Sequence, residues 1–290
     1  MRHIVLGRFF VLFLFVFSVS IALFSQDKEN DSNSNNQNPI LLRIPSLTKT
    51  HGVAKFTIQV KTNVSLFGKL QEPIFTQISG EQVIERISRE GPLIWERITT
   101  TCATMSSYTP GKPNEDTDSK LLTETLLKIG INPVSMPINR ALTPRGEVEI
   151  LEGVPASQAA FFKEASKLGF PENPVRPGEK WELTMQLPFE LDRSTPPILY
   201  QNRSTFTLDS YSLSPGSPTA KLSLSLLGQD LEPASAPIHI SSTGEGKIDL
   251  RLSDMQFLSI KTTGRSQVKF GLGNHFETEE RIEIVYSDFL

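Results

Sequence analysis

Between residues 276 and 286 the chain alternates strictly. Phe276, Thr278, Glu280, Ile282, Ile284 and Tyr286 interleave with Glu277, Glu279, Arg281, Glu283 and Val285. Successive side chains of an extended strand point to opposite faces, so this run predicts a strand with one largely apolar face and one charged, wet face. Leu222, Leu224 and Leu226 against Lys221, Ser223 and Ser225 repeat the pattern, as do Ile248, Leu250 and Leu252 against Lys247, Asp249 and Arg251. Residues 82–88 and 93–104 flank Arg89-Glu90-Gly91-Pro92, whose turn chemistry predicts a hairpin.

Two stretches follow the helical period instead. In residues 119–129, Leu121, Leu122, Leu126 and Ile129 share a face and Gly130 follows as a stop. In residues 157–168, Phe161, Ala165 and Leu168 form a stripe, with Ser157 as N-cap, Gly169 as the stop and Pro171 beyond it. Each apolar side must pack on something, most simply a concave sheet face. The expected fold class is mainly β (α+β): two curved antiparallel sheets or half-barrels with one or two short helices. The 20 prolines agree with it, because helix interiors tolerate proline poorly.

The first 26 residues differ from the rest. Arg2 and Arg8 precede the apolar run 9–24, and small residues at Ser20, Ala22 and Ser25 end it, which is the layout of a secretory signal peptide. Retention as a membrane anchor is the alternative, although sixteen residues fall short of the roughly 20 that a spanning helix needs. The sole cysteine, Cys102, is far from the apolar run, so a diacylglyceryl anchor is excluded and no disulfide can form within the chain. Residues 27–45 begin with a run of polar side chains that cannot repay the entropy of ordering, and they are expected to be a disordered spacer. Beyond it, residues 46–170 and 171–290 are expected to be N-terminal and C-terminal β-rich halves joined through the proline-rich stretch 170–178. The net charge is −3, and losing Arg2 and Arg8 makes it two units more negative, which argues against nucleic acid as a partner. The expected product is exported to the periplasm, cell envelope or extracellular space and is not an integral membrane protein after cleavage.

Around the joint, Phe170-Pro171, Pro174-Val175 and Gly178-x-x-Trp181 resemble the FP-x-x-PV-x-x-G-x-x-W element of an uncharacterised family of secreted bacterial proteins, in which a domain of unknown function follows a signal sequence. Gly244-x-Gly246 with Ile248 and Asp249 is similar too. The family supplies no catalytic residues. Its β-rich pattern is loosely similar to the half-barrel lipoprotein carriers of the bacterial envelope, which cup acyl chains between a curved sheet and helices. This chain lacks their lipidated cysteine.

Candidate chemistry is sparse. After the signal, His51, His239 and His275 stand apart from one another and from Cys102, at no zinc-ligand spacing, and no Gly-x-Ser-x-Gly elbow is present. Gly244-x-Gly246 and Gly271-x-Gly273 lack the third glycine and following helix of a nucleotide loop and read as turns or bulges. Cys102 reads as a small buried hydrophobe. The eight-position echo of residues 143–150 in 243–250, which shares a threonine, a glycine, a β-branched residue, an acid and an aliphatic in order, is compatible with chance or with duplication. No catalytic, cofactor or metal residue is assigned. The candidate site is an apolar ligand cleft made of Phe161, Phe162, Trp181, Leu222, Leu224, Ile248, Leu250, Ile282 and Ile284. The function expected is that of a non-catalytic exported protein binding lipid or another apolar ligand, or an envelope protein partner. A structural or protein-interaction module with a filled core, an outer-membrane barrel and an unrecognised enzyme are the alternatives.

Overall fold

The computed structural model describes residues 38–45, 51–87, 89, 91–112, 115–116, 118–189, 198–233, 236–271 and 274–288. The signal segment and most of the spacer lie outside them. In chain order the elements are β1 (His51–Leu66), β2 (Lys69–Leu70), β3 (Ile74–Ile87), β4 (Ile94–Tyr108), β5 (Glu115–Asp116), α1 (Ser119–Lys128), β6 (Ile138–Leu142), β7 (Val148–Glu152), α2 (Ala156–Ala165), β8 (Lys180–Phe189), β9 (Ile198–Ser212), β10 (Thr219–Asp230), β11 (Ile238–Arg251), β12 (Gln256–Phe270) and β13 (Asn274–Asp288).

The fold is mostly β. All thirteen strands join one antiparallel sheet in the order β7-β6-β4-β3-β1-β13-β12-β11-β10-β9-β8, with β2 beside β1 and β5 beside β4. The expectation of two sheets is corrected to one, because β1 and β13 pair without a break from Gly52↔Asp288 to Ser65↔His275. That ladder splices a wing of β1–β7 to a wing of β8–β13. Period-two patterning is visible throughout: β1 alternates buried and more exposed positions along most of its length, and so does β10. The outer face carries cross-strand ion pairs such as Lys247–Asp209 at 2.9 Å and Lys261–Glu283 at 3.0 Å.

The predicted hairpin between β3 and β4 forms, with Ile87 opposite Trp95 and Gly91 at φ 113° in its turn. The Arg89 guanidinium lies 3.8 Å from the centre of the Trp95 ring. The β1–β2 turn places both central residues at positive φ, Phe67 at 52° and Gly68 at 74°, as the twist of a two-residue hairpin requires.

Both predicted helices form: α1 starts at Ser119 as expected and ends one residue early at Lys128, and α2 differs at both ends. α1 is capped by Asp118, whose carboxylate accepts from the Lys120 N–H at 3.0 Å. α2 is preceded by Pro155 as the N-cap residue, which lacks a side-chain acceptor, so the assignment of Ser157 as the cap is corrected. Packing holds this helix in place: Phe162 is fully buried, and Ala165 and Leu168 nearly so.

The sheet is open, since among the described residues β7 and β8 are its edges and do not pair with each other. Eleven strands spaced about 4.8 Å apart would hold those edges tens of ångströms apart if flat. Instead α2 packs against both β7 and β8, so the sheet bends its two ends toward one helix. A strap, residues 38–45, crosses the same region. Ile40 pairs with Val175, the Ile44 N–H donates to the Pro144 carbonyl at 2.9 Å, and Arg43 donates to the Pro171 carbonyl. Leu42 and Ile44 are buried in the main core, which corrects the expectation that ordered structure begins after Pro45. The polar run before them conceals two apolar anchors at alternate positions.

Three smaller readings also change. Cys102 is exposed, because the β3–β4 register shifts at Glu81/Gln82 and the extra residue turns both Thr101 and Cys102 outward. Gly244 and Gly246 lie in regular ladder positions inside β11 rather than in a turn. The echo of residues 143–150 in 243–250 therefore joins unlike settings, since Gly146 sits in a turn before β7 at φ 80°.

Candidate functional site

Where the edges approach, the chain forms a groove of about 610 Å³. Its apolar lining is Val148 at β7, Phe170 and Val175 in the proline-rich joint, and Trp181 and Leu183 on β8, and its rim carries Arg145, Lys163, Lys167, Glu172, Glu179 and Glu182. The FP-x-x-PV-x-x-G-x-x-W element thus builds the closure between the two sheet edges. Gly169, at φ 61°, lets the chain leave α2 and pass over Leu183 so closely that a Cβ there would stand 2.9 Å from Leu183 Cδ2. Trp181 is half-buried. Its indole N–H donates to the Gly169 carbonyl at 2.9 Å, and its ring stacks on Phe206 at 5.5 Å, so the indole is fixed on both sides.

Behind the groove lies the apolar inner face of the sheet. Leu222, Leu224, Ile248, Leu250 and Ile282 pack in one buried cluster, against which Trp181 and Ile284 lean. Phe161 and Phe162 belong to a second cluster with Ile84, Ile98, Ile138, Leu187 and Tyr286, and Ile284 touches this one as well. The structure gathers the nine cleft residues named from sequence into two adjoining clusters that meet at Ile284. Of the nine, Trp181 lines the groove.

Pattern reading missed the polar groups on that inner face. The first set lies in the β1–β7 wing. The Glu96 carboxylate, 3 % exposed, accepts from Arg86 Nε at 3.1 Å and from Arg140 Nε and Nη2 at 2.9 and 2.7 Å. Arg86 also donates to the Asp254 carbonyl at 2.9 Å, which ties β3 to the β11–β12 turn. Burial alone would raise the Glu96 pKa, but the charges and hydrogen bonds of Arg140 and Arg86 outweigh it and hold the carboxyl below its ordinary value. Nearby, the Asn132 side chain accepts from Gln82 at 2.9 Å and the Thr100 hydroxyl donates to the Asn132 carbonyl at 2.6 Å, fastening the segment after α1 to β4.

The second set is a polar belt across the β8–β13 wing. Thr62, Thr278, Ser266, Ser242 and Asn202 lie in register on β1, β13, β12, β11 and β9, all buried. Thr278 and Ser266 share a hydrogen bond, and the Tyr200 hydroxyl spans Gly228 of β10 to bond Ser242. A Cβ at Gly228 would collide with the Tyr200 hydroxyl, so glycine is required there. In the next row, Glu280 stands beside Val60, Gly264 and, one strand further, Gly244. Glu280 is 4 % exposed and neither carboxyl oxygen has a hydrogen-bond partner. Burial pushes its pKa well above the ordinary value, and the Thr278 hydroxyl beside it works in the opposite direction. Tyr200 is pushed up too, by burial first and by the proximity of Glu280. The sequence did carry one sign of this: Glu280 is the single carboxyl among the alternate positions Phe276, Thr278, Glu280, Ile282, Ile284 and Tyr286.

Among the described residues, no three His, Cys, Asp or Glu side chains gather closely enough to hold a metal ion. No helix among them is long and apolar enough to cross a membrane.

No protein-family model matches the chain, and no curated protein does. Solved structures give distant likenesses. The structure described as lipid-protein interactions in lipovitellin aligns over 83 % of this chain and 25 % of its own, at 10 % identity and a TM-score of 0.46. This chain therefore spans about a quarter of that protein. Pseudomonas aeruginosa OccK5 aligns over 83 % of this chain and 99 % of its own at 4 % identity and a TM-score of 0.26. A protein of the DUF1329 family from Desulfovibrio piger aligns over 81 % and 85 % at 8 % identity and a TM-score of 0.11.

Proposed function

We propose that this is an exported, non-catalytic binding protein that takes an apolar or amphiphilic molecule, such as a lipid, through the groove between β7 and β8 onto the inner face of the sheet. The observation that carries the reading is the closure itself. The two edges are joined by α2, the proline-rich joint and the strap rather than by a ladder of backbone hydrogen bonds. Such a seam can part by releasing side-chain contacts and a few backbone hydrogen bonds of the joint and strap, such as Phe170 N–H to the Arg145 carbonyl, while every strand pair of the sheet stays intact. Its lining of Phe170, Val175, Trp181 and Leu183 under a rim of mixed charge suits a molecule with an apolar body and a polar end. Export rests on the Arg-flanked apolar segment at the N-terminus. The resemblance to secreted proteins of unknown function rests on the joint residues 170–181.

Trp181 supplies the test. Titration with an environment-sensitive fatty-acid probe should be saturable and should change Trp181 emission, read in a Trp95→Phe background. Native mass spectrometry of the protein from its own host should show a co-purifying small molecule. A ligand-free mass together with no saturable binding would leave a structural or protein-interaction module with a filled core.

A further inference from the structure

We infer that Glu280, with the hydroxyl of Thr262, forms a buried polar pocket on the inner face that receives the hydrogen-bond-donating head group, hydroxyl or ammonium, of an otherwise apolar ligand. The inference deepens the ligand-binding reading above and rests on it.

Two unpartnered polar side chains stand diagonally across one ladder there, Glu280 of β13 and Thr262 of β12, and Ser204 lies in the Glu280 row on β9, four strands away. Both Glu280 oxygens, Ser204 Oγ and Thr262 Oγ1 are buried without a hydrogen-bond partner, whereas neighbouring Ser242, Ser266, Thr278 and Tyr200 satisfy one another. An unmade buried hydrogen bond leaves the desolvation of the group uncompensated, so two such groups side by side are a standing penalty that a bound group can remove. Their placement leaves space as well. Glu280 is followed across the sheet by Gly264, Gly244, Leu226 and Ser204, all in register and therefore on one face. Two adjacent strands thus present no side chain for roughly 10 Å between the carboxyl and the next residue of the row. Thr262 borders this floor from the adjoining row, opposite Ile282. The apolar rows beside it, with Ile58, Ile282 and Leu224, would hold the ligand's body.

The donor set fixes the ligand class. A carboxyl and a hydroxyl offer acceptors and exchangeable protons, and none of the partners named at this row is a lysine or arginine, so an anionic head group would go unneutralised. A hydroxyl satisfies the neutral acid directly. An amine takes the Glu280 proton and leaves a charge-assisted pair.

The test uses the purified protein and three ligands of equal chain length, a long-chain primary alcohol, a primary amine and the hydrocarbon, each displacing a fluorescent fatty-alcohol probe. Alcohol and amine should bind about tenfold or more tighter than the hydrocarbon, a difference near 1.4 kcal/mol. Glu280→Gln should keep the preference for the alcohol and lose that for the amine. Glu280→Leu should abolish both while raising thermal stability, which separates loss of the pocket from loss of the fold. Equal binding of all three ligands, or preferences unchanged in Glu280→Leu, overturns the pocket and leaves the apolar site standing. No saturable displacement by any of them overturns both.

Discussion

Glu96 and Glu280 are two glutamates buried to almost the same degree on one face of one sheet, and their surroundings differ completely. In the β1–β7 wing, two arginines bracket Glu96 and supply three hydrogen bonds. In the β8–β13 wing, Glu280 faces glycines and has no hydrogen-bond partner. Burial of a carboxylate is tolerated when paired charge offsets the desolvation, and otherwise the group keeps its proton. The first wing therefore uses its acid as a fastener among β3, β4 and β6, while the second holds an acid whose pKa burial raises and whose unmade hydrogen bonds count against the stability of the empty protein.

The largest effect should come from breaking the fastener. Glu96→Ala leaves Arg86 and Arg140 buried without their shared counter-charge and should cost about 3–5 kcal/mol in urea unfolding. A loss below ~1 kcal/mol would mean that the guanidiniums find water or other acceptors. Glu280→Leu should shift stability the opposite way, by about 1–3 kcal/mol, since it removes an unsatisfied polar group and keeps its volume. Destabilisation by that change would show that the carboxyl is structurally paired after all.

The pH dependence sharpens the contrast. The Glu96 pKa is lowered on folding, so its contribution is complete above the unfolded value near 4.5 and is lost as pH falls through the folded pKa. The Glu280 pKa is raised, so its contribution is complete below about 4.5 and is lost as pH rises toward and through the folded pKa. Between pH 5 and 8 the wild type should lose stability relative to Glu280→Gln, and the two should converge near pH 4. Parallel unfolding profiles would remove Glu280 from the account. The smallest effect is expected at the strap, where Arg43→Ala removes donors to the Pro171 and Glu172 carbonyls. It should speed amide exchange at Ile40 and Ile44 with little change in midpoint, because Leu42 and Ile44 stay anchored in the core.

Much of the sheet was legible because each half-wet strand prints its face at period two, as residues 276–286 do. The hairpin at Gly91 was legible from its turn chemistry. Register is not printed locally. Glu96 meets Arg140 across 44 residues of sequence, and nothing near either residue announces the other. Cys102 was misplaced because one bulge resets the alternation, and the strap was missed because its two buried residues follow a long polar run. The nine cleft residues were found as apolar positions. The groove was not, since it arises where two sheet edges distant in the strand order are brought together.

The ladder between β1 and β13 carries a consequence for timing. Among the described residues it is the one set of strand pairings that unites the wings, and its partners are remote in sequence, as Lys61 and Glu279 show at a separation of 218 residues. Closing so long a loop is slow, and neither wing can complete the sheet until the segment that forms β13 has been made. A chain still short of that segment would hold β1 and β12 with one edge each unpaired.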